Sequence, residues 1–465
     1  GANGGDQHWW SFRGPHGEVT PEGLTNLTSW EEGTPAGEHI GYGEVDKMDT
    51  DDPNLLSLAH LYNCERGEVD GPWGVSWELS GESGLSLHMR QLGEDGEVIL
   101  GDGKPPISSM EDPPYKFRWA VAHRTGEAPL DSRFVTLIEA TEANRRIVRN
   151  IESVPVTEEG DILALSIETD SALDLVVNNV ECGPVTPVSG DWTFNGESGF
   201  ARRTDTGTQQ ITLTGGTSFC LQDLGILKTT NTVTGRVIGG DFSKRQVLLE
   251  KGTLPLHALI GKHVRFDSPN RSSTYRLIGA DDSGAGTSLT LDIDIRIGEG
   301  TADGFEDGII ISHTHFPLAG FRYYHGANLT TKSGKVLVLD HIEPDAVANI
   351  ESGLRPMSRI VTAGSDGDYS EEGLRAACAE GKGFTVYDLS IGDKATITLT
   401  SFIRSTEPGK FEARIGSDTV LAIGRDLNGT ATATRGQQKW EIPIVDQDGL
   451  STLDMTSPGA GDVQI

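Results

Sequence analysis

The sequence predicts an all-β protein built from large antiparallel β-sandwich domains. Its 465 residues include 59 glycines and 21 prolines, and threonine, valine and serine recur in short alternating runs. This composition is typical of many short strands joined by turns. Residues 73–79 alternate apolar and polar side chains, which predicts a strand with one apolar face. Only residues 370–381 predict a helix, with Ser370 as its N-cap and two glutamates in its first turn.

The order of the predicted strands suggests three segments. Residues 1–230 predict a first β-sandwich domain that is truncated at its N-terminal side. Residues 231–349 predict a second β domain, and residues 350–465 a small C-terminal β-rich module that contains the short helix. Neither a repeat of fixed period nor a low-complexity linker separates the three segments.

The charge balance excludes some classes of partner. The formal net charge is −31, from 69 acidic and 38 basic residues. Nucleic-acid binding needs basic patches, so we expect no nucleic-acid partner. No apolar run approaches the roughly 20 residues of a membrane helix, so we also expect no membrane partner. An anionic ligand would need cations gathered locally, and such reversals occur at Arg145, Arg146, Arg149, Arg202 and Arg203. Exposed salt bridges are the alternative role for these arginines.

The four cysteines are Cys64, Cys182, Cys220 and Cys378. Without a C-x-x-C pair, the sequence gives no support for a zinc ribbon or a thioredoxin-type site. Buried thiols are the expectation for four scattered cysteines in a chain of this length. Cys182 with Cys220 is the one pair considered for a disulfide.

Several short motifs occur in a specific order along the chain. A Gly-Gly-x-x-His segment leads into Phe-x-Gly-Pro within residues 4–15, and a Trp-x-Val-x-Trp strand follows at residues 73–77. A His-Arg step at residues 123–124 and a Phe-Val-x-x-Ile-Glu strand at residues 134–139 come next. This succession resembles the C-terminal β-sheet region of the heparinase II/III-like polysaccharide lyases, over roughly residues 4 to 340.

The resemblance implies a fold and an activity. Members of that family join an N-terminal helical toroid to β-sandwich domains of the super-sandwich type, and they cleave uronate polysaccharides by β-elimination. The toroid is absent from this chain, and so is the family's upstream strand that carries a catalytic or metal-binding histidine. The implied function is therefore the β-sandwich portion of a lyase, with an anionic polysaccharide as substrate and a separate helical-toroid piece as partner. A divalent metal occurs in some relatives, but no metal ligand is assigned here, and the cofactor stays unknown. The implied location is secreted or periplasmic.

β-Elimination needs a group that neutralises the sugar carboxylate, a base and an acid. Against this requirement the candidate catalytic residues are His8, Arg13 and His16. The candidate substrate-binding residues, chosen as aromatic, cationic or imidazole side chains, are Trp9, Trp10, Arg124, Tyr323, Tyr324 and His325. The structural alternative is that these side chains pack against or hydrogen-bond to neighbouring strands.

Two other histidine patterns give little support for a functional site. Residue 123 continues the apolar face of Phe117, Trp119 and Val121, which favours a structural His123. His313 and His315 lie two residues apart, but a histidine pair without a third ligand is a weak metal signal.

Two alternatives to the lyase remain open. The first is a non-catalytic glycan-binding or structural β protein derived from such an enzyme. The second, a glycoside hydrolase, would need two carboxylates at a defined separation, and the sequence does not single out such a pair. The sequence contains no G-x-S-x-G, no P-loop and no dinucleotide fingerprint after a strand.

Overall fold

The structure is a computed structural model, and nearly all of its regular structure is antiparallel β-sheet. This confirms the predicted all-β sandwich-type fold. The described residues are 2–3, 5–29, 58, 60–79, 84–93, 96–103, 117–142, 145–250, 256–269, 271–320, 322–344, 358–364 and 369–465.

The chain divides into two compact units. Unit 1 comprises residues 1–155, 159–176 and 203–205, and unit 2 comprises residues 156–158, 177–202 and 206–465. The boundary between the two units falls within two strands, β14 (Leu173–Asn179) and β17 (Ser198–Thr204).

The strands of unit 1, in chain order, are β1 (Ala2–Asn3), β2 (Gln7–Arg13), β3 (Gly17–Glu22), β4 (Thr25–Ser29), β5 (Tyr62–Val69), β6 (Trp73–Leu79), β7 (Leu85–Leu92), β8 (Gly96–Gly103), β9 (Phe117–Thr125), β10 (Asp131–Ser132), β11 (Val135–Glu142), β12 (Val148–Ser153) and β13 (Ile162–Thr169). A five-stranded sheet has the order β2-β9-β8-β5-β4, and a four-stranded sheet has the order β11-β7-β6-β3. In addition, β1 pairs with β10 and β12 pairs with β13.

The two larger sheets of unit 1 form a sandwich because each contributes apolar side chains to one core. Val98 and Ala120 come from the five-stranded sheet, and Val75, Trp77 and Met89 come from the four-stranded sheet. Side chains alternate across a strand, so the residues between these core positions lie on the outer faces of the sandwich. On the four-stranded sheet those outer positions include Ser76, His88 and Arg90.

Besides β17, the strands that begin in unit 2 are, in chain order, β15 (Pro184–Val185), β16 (Trp192–Asn195), β18 (Gly207–Thr214), β19 (Ser218–Leu221), β20 (Leu224–Thr230), β21 (Thr232–Gly239), β22 (Gln246–Leu249), β23 (His263–Ser268), β24 (Arg271–Asp282), β25 (Thr287–Leu291), β26 (Arg296–Thr301), β27 (Gly304–Glu306), β28 (Ile309–Ser312), β29 (Asn328–Thr331), β30 (Val336–Pro344), β31 (Ser358–Thr362), β32 (Gly383–Tyr387), β33 (Lys394–Thr398), β34 (Thr400–Glu407), β35 (Lys410–Ile415), β36 (Ser417–Ile423), β37 (Thr430–Arg435), β38 (Gln438–Pro443), β39 (Val445–Gln447), β40 (Leu450–Asp454) and β41 (Gly461–Gln464). The helices are α1 (Leu256–Leu259) and α2 (Glu371–Ala377), with 3₁₀ turns at Phe242–Lys244 and Arg322–Tyr324.

Unit 2 contains a closed barrel and three sheet assemblies. The barrel has the order β21-β22-β25-β24-β23-β33. One sheet runs β15-β16-β19-β20-β36-β40-β39, and another contains the run β18-β34-β35-β41-β37-β38. A further sheet, β26-β32-β29-β30-β31-β28-β27, lies in sequence between barrel strands β25 and β33. Strands from both sides of residue 349 share this last sheet, so the segments predicted as 231–349 and 350–465 are interleaved.

A buried asparagine joins the barrel to the sheets that flank it in sequence. Asn231 lies between β20 and β21, and its Nδ2 donates to the Leu213 carbonyl oxygen at 3.3 Å. Its Oδ1 accepts from the Ser401 hydroxyl at 2.7 Å, and its carbonyl oxygen accepts from the Leu399 N–H at 2.6 Å. These bonds satisfy polar groups that would otherwise be buried without partners.

The predicted helix is confirmed as α2. The Ser370 side chain accepts a hydrogen bond from the Gly373 N–H at 3.1 Å, as an N-cap does. The cysteines are free: Cys64, Cys220 and Cys378 are buried, and Cys182 is exposed. The disulfide considered between Cys182 and Cys220 is therefore not formed. No helix among the described residues is long and apolar enough to cross a membrane.

Candidate functional site

Strand β2 carries most of the predicted catalytic residues and places them on different faces. It pairs with β9, so that His8 lies opposite Arg124 and Trp9 lies opposite His123. His8 and Arg124 are both buried. The Arg124 guanidinium lies 4.6 Å from the centroid of the Phe134 ring.

The opposite face of β2 presents an aromatic and polar row. Trp9 stacks on His123 with ring centroids 3.5 Å apart. His123 Nδ1 lies 3.3 Å from a Glu97 oxygen, and its Nε2 lies 3.2 Å from Gln7 Oε1. Both ring nitrogens therefore have partners, as the structural interpretation of His123 requires.

The remaining candidates of this region lie elsewhere. Trp10 packs against the sandwich core, 6.5 Å from the Phe134 ring centroid. Arg13 is exposed and covers the Phe117 ring at 4.9 Å. His16 is exposed in the turn before β3. The structure thus pairs His8 with Arg124 but does not gather His8, Arg13 and His16 in one pocket.

The candidates at residues 323–325 belong to unit 2. Tyr324 is buried in a core cluster, and its hydroxyl donates to the Pro317 carbonyl oxygen at 2.6 Å. Tyr323 is exposed, and the Arg271 guanidinium lies 5.5 Å from its ring centroid. His325 Nδ1 lies 2.6 Å from the Asp340 carbonyl oxygen, so this nitrogen carries the proton and donates.

A set of polar residues that the sequence analysis did not assign lies on the outer face of the four-stranded sheet. Arg146 Nη2 donates to the Ser76 hydroxyl at 2.8 Å, and Ser76 Oγ lies 2.8 Å from His88 Nδ1. His88 Nε2 lies 3.0 Å from the Thr141 hydroxyl. Ser76 accepts from Arg146, because arginine only donates, and its hydroxyl also lies 3.5 Å from Glu22 Oε1.

Two effects favour the neutral imidazole at His88. Burial lowers the pKa of His88, and the positive charge of Arg146 lowers it further. Arg146 in turn holds Glu22 with two hydrogen bonds, one of them at 2.9 Å and the other between Nη2 and Oε1. These hydrogen bonds lower the pKa of Glu22 and raise that of Arg146. Glu22 is therefore a fixed carboxylate at neutral pH.

An open cleft of about 360 Å³ lies beside this network, within unit 1. We call it the arginine cleft; it is lined by Glu22, Gly23, Pro72, Trp73, Gly74, Arg90, Arg149, Asn150 and Ile151. A Cβ atom at Gly74 would lie only 2.7 Å from the Met89 carbonyl oxygen, so the floor of the cleft has no side chain there.

The arginines around the cleft differ in how they are paired. Arg145 lies 3.7 Å from Asp170, and Arg149 forms a hydrogen-bonded ion pair with the same carboxylate. Arg145 and Arg149 therefore form salt bridges, which is the alternative role given above for the arginines of this basic cluster. Arg90 is half-buried and makes no hydrogen bond or ion pair within the described residues, although Glu22 lies within electrostatic range. Within the described residues, the five N–H donors of its guanidinium group have no hydrogen-bond acceptor.

The cationic side chains of this site are suited to binding an anion. Both ring nitrogens of His88 have hydroxyl partners, and Glu22 is paired with Arg146. In the part of the chain that the structure describes, no three His, Cys, Asp or Glu side chains are placed to hold a metal ion.

Comparisons with models of protein families, with curated proteins and with solved structures find no match for this chain. The similarity to the heparinase II/III-like lyases therefore stays a prediction.

The neutral His88 predicts a specific pH dependence of stability. Its folded pKa lies below the ordinary 6.5, so the unfolded chain takes up the proton first as the pH falls. The free energy of unfolding of unit 1 should therefore decrease between about pH 7 and pH 5. Tryptophan fluorescence reports on unit 1, because six of the eight tryptophans precede residue 156.

In His88→Gln this contribution is removed, and we expect a smaller decrease in melting temperature from pH 7.5 to pH 5.5 than in the unmodified protein. The exposed His16→Gln serves as control and should keep the full decrease. An equal decrease in His88→Gln and His16→Gln would contradict the neutral, hydrogen-bonded imidazole.

Proposed function

We propose that unit 1 binds an anionic polysaccharide and holds one acidic sugar in the arginine cleft. The observation that carries this proposal is the guanidinium of Arg90, which lines the cleft without a hydrogen bond or ion pair among the described residues. An arginine fork matches the two oxygens of a carboxylate, and charge-assisted hydrogen bonds of this kind are strong.

Because the chain is acidic, the position of Arg90 indicates where an anion can bind. At a net charge of −31, the protein as a whole repels anions. An anion is held only where cations are locally in excess, and Arg90 and Arg149 line the same cleft. Since Arg149 is paired with Asp170, Arg90 is the primary contact in the proposal.

Glu22 favours a ligand that carries hydroxyl groups as well as a negative charge. Its carboxylate lines the cleft and can accept hydrogen bonds from sugar hydroxyls, while it would repel a ligand that is anionic throughout. A uronate sugar has one carboxylate and several hydroxyls. The cleft volume of about 360 Å³ lies within the range of small-ligand sites.

Replacing Arg90 tests the proposal. We expect Arg90→Ala to weaken binding of an acidic polysaccharide such as polygalacturonate by about ten- to a hundredfold, since a hydrogen-bonded charge contact contributes about 1.5–3 kcal/mol. Isothermal titration calorimetry at fixed ionic strength measures the affinity, and a neutral dextran tests whether charge is required.

Arg66→Ala is the matched control, because Arg66 carries the same charge on the five-stranded sheet and does not line the cleft. The proposal fails if Arg90→Ala and Arg66→Ala bind the acidic polysaccharide equally well, or if dextran binds with the same affinity.

The lyase predicted by the resemblance is tested separately. Elimination creates an unsaturated uronate that absorbs ultraviolet light, whereas binding does not. If the arginine cleft only binds the sugar, incubation of this chain with acidic polysaccharides should give no increase in absorbance. An increase that is lost in Arg90→Ala would instead identify the cleft as part of a catalytic site.

A further inference from the structure

A second cationic cleft lies within unit 2, with a volume of about 410 Å³. We call it the lysine cleft; it is lined by Ile260, Gly261, Lys262, Leu399, Thr400, Arg414, Ile415, Arg435, Gly461 and Asp462. Its three cations come from the turn before β23 and from strands β35 and β37. They are distant from one another in sequence, and the fold brings them to one cavity.

The two arginines of the lysine cleft are fixed by hydrogen bonds. Arg414 binds both carboxylate oxygens of Asp462 through Nε and Nη2, which leaves its Nη1 without a partner in the described residues. Arg435 donates to three carbonyl oxygens, those of Asp462, Pro458 and Gly459, at 3.1, 3.0 and 2.9 Å. These contacts hold both guanidinium groups before a ligand arrives, which lowers the entropic cost of binding.

Lys262 is placed differently. Its backbone N–H donates to the Leu259 carbonyl oxygen at 3.0 Å and so fixes the turn. Among the described residues its ammonium group makes no hydrogen bond or ion pair, although it is half-buried. Burial lowers the pKa of Lys262, and the nearby positive charge of Arg414 adds to this effect. An anion bound between Lys262 and Arg414 would offset both the burial of the Lys262 charge and its repulsion by Arg414.

The charge of the lining indicates what kind of anion fits. Lys262, Arg414 and Arg435 carry three positive charges and Asp462 carries one negative charge, so the cleft has a formal charge of 3 − 1 = +2. A phosphate group carries close to two negative charges at neutral pH and has oxygens that can contact separate donors. We infer that the lysine cleft binds a phosphate group between Lys262 Nζ and Arg414 Nη1, independently of the polysaccharide site of unit 1.

Protection of Lys262 from chemical labelling tests this inference. Reductive methylation with formaldehyde, followed by peptide mass spectrometry, gives the rate at each lysine. We expect inorganic phosphate to slow the labelling of Lys262 by at least about tenfold at saturation, with acetate at equal ionic strength as the comparison. Lys244, which is exposed and paired with Asp241, should be unaffected. Glycerol phosphate in place of inorganic phosphate distinguishes a phosphate ester from the free ion.

A variant pair provides the second measurement. Lys262→Met should weaken phosphate binding in calorimetry by at least about tenfold, because it removes one of the charge-assisted contacts, while Lys244→Met should bind as the unmodified protein does. The inference is overturned if phosphate slows Lys244 as much as Lys262, if acetate protects equally, or if Lys262→Met keeps full affinity.

Discussion

The candidate site of unit 1 depends on one neutral imidazole held between two hydroxyl groups. His88 Nδ1 lies 2.8 Å from Ser76 Oγ and its Nε2 lies 3.0 Å from the Thr141 hydroxyl, while Arg146 donates to the same Ser76 hydroxyl. The same Arg146 fixes Glu22 at the edge of the arginine cleft. A proton added to His88 would place a second positive charge beside Arg146. Arg146 sets the position of Glu22, which is the negative charge in the lining of the cleft.

Pairing of charges explains how so acidic a chain can still offer cationic sites. Arg145 and Arg149 are both ion-paired with Asp170, which neutralises part of their charge. Arg90 and Lys262 differ, because each lines a cleft and makes no hydrogen bond or ion pair within the described residues. Leaving a half-buried cation without a partner is unfavourable for folding. A ligand anion supplies the missing partner in both proposals.

The alternation of apolar and polar residues was sufficient to predict strands, because the apolar side chains of a strand are the ones buried in the core. Ser370 and its two glutamates likewise predicted α2, because a helix cap is a local interaction. The site could be predicted only in part: Arg146 and Arg149 were recognised as a basic cluster, and Ser76 occupies a polar position of the strand predicted at residues 73–79. The contact between Arg146 and Ser76 joins residues 70 positions apart, and its geometry depends on strand pairing that the local pattern does not contain. Burial of Tyr324 depends in the same way on residues far along the chain, because its core cluster includes Leu374 and Phe384.

Hydrogen exchange with and without an acidic oligouronate tests the central claim most directly. If the arginine cleft holds the sugar carboxylate, exchange should slow in peptides that cover β7 and the start of β12, where Arg90, Arg149 and Asn150 lie. The peptides of β2 and β9 on the other sheet should exchange at unchanged rates. Slower exchange at β2 and β9 with no change at β7 and β12 would contradict the claim and would place the sugar on the face of Trp9 and His123.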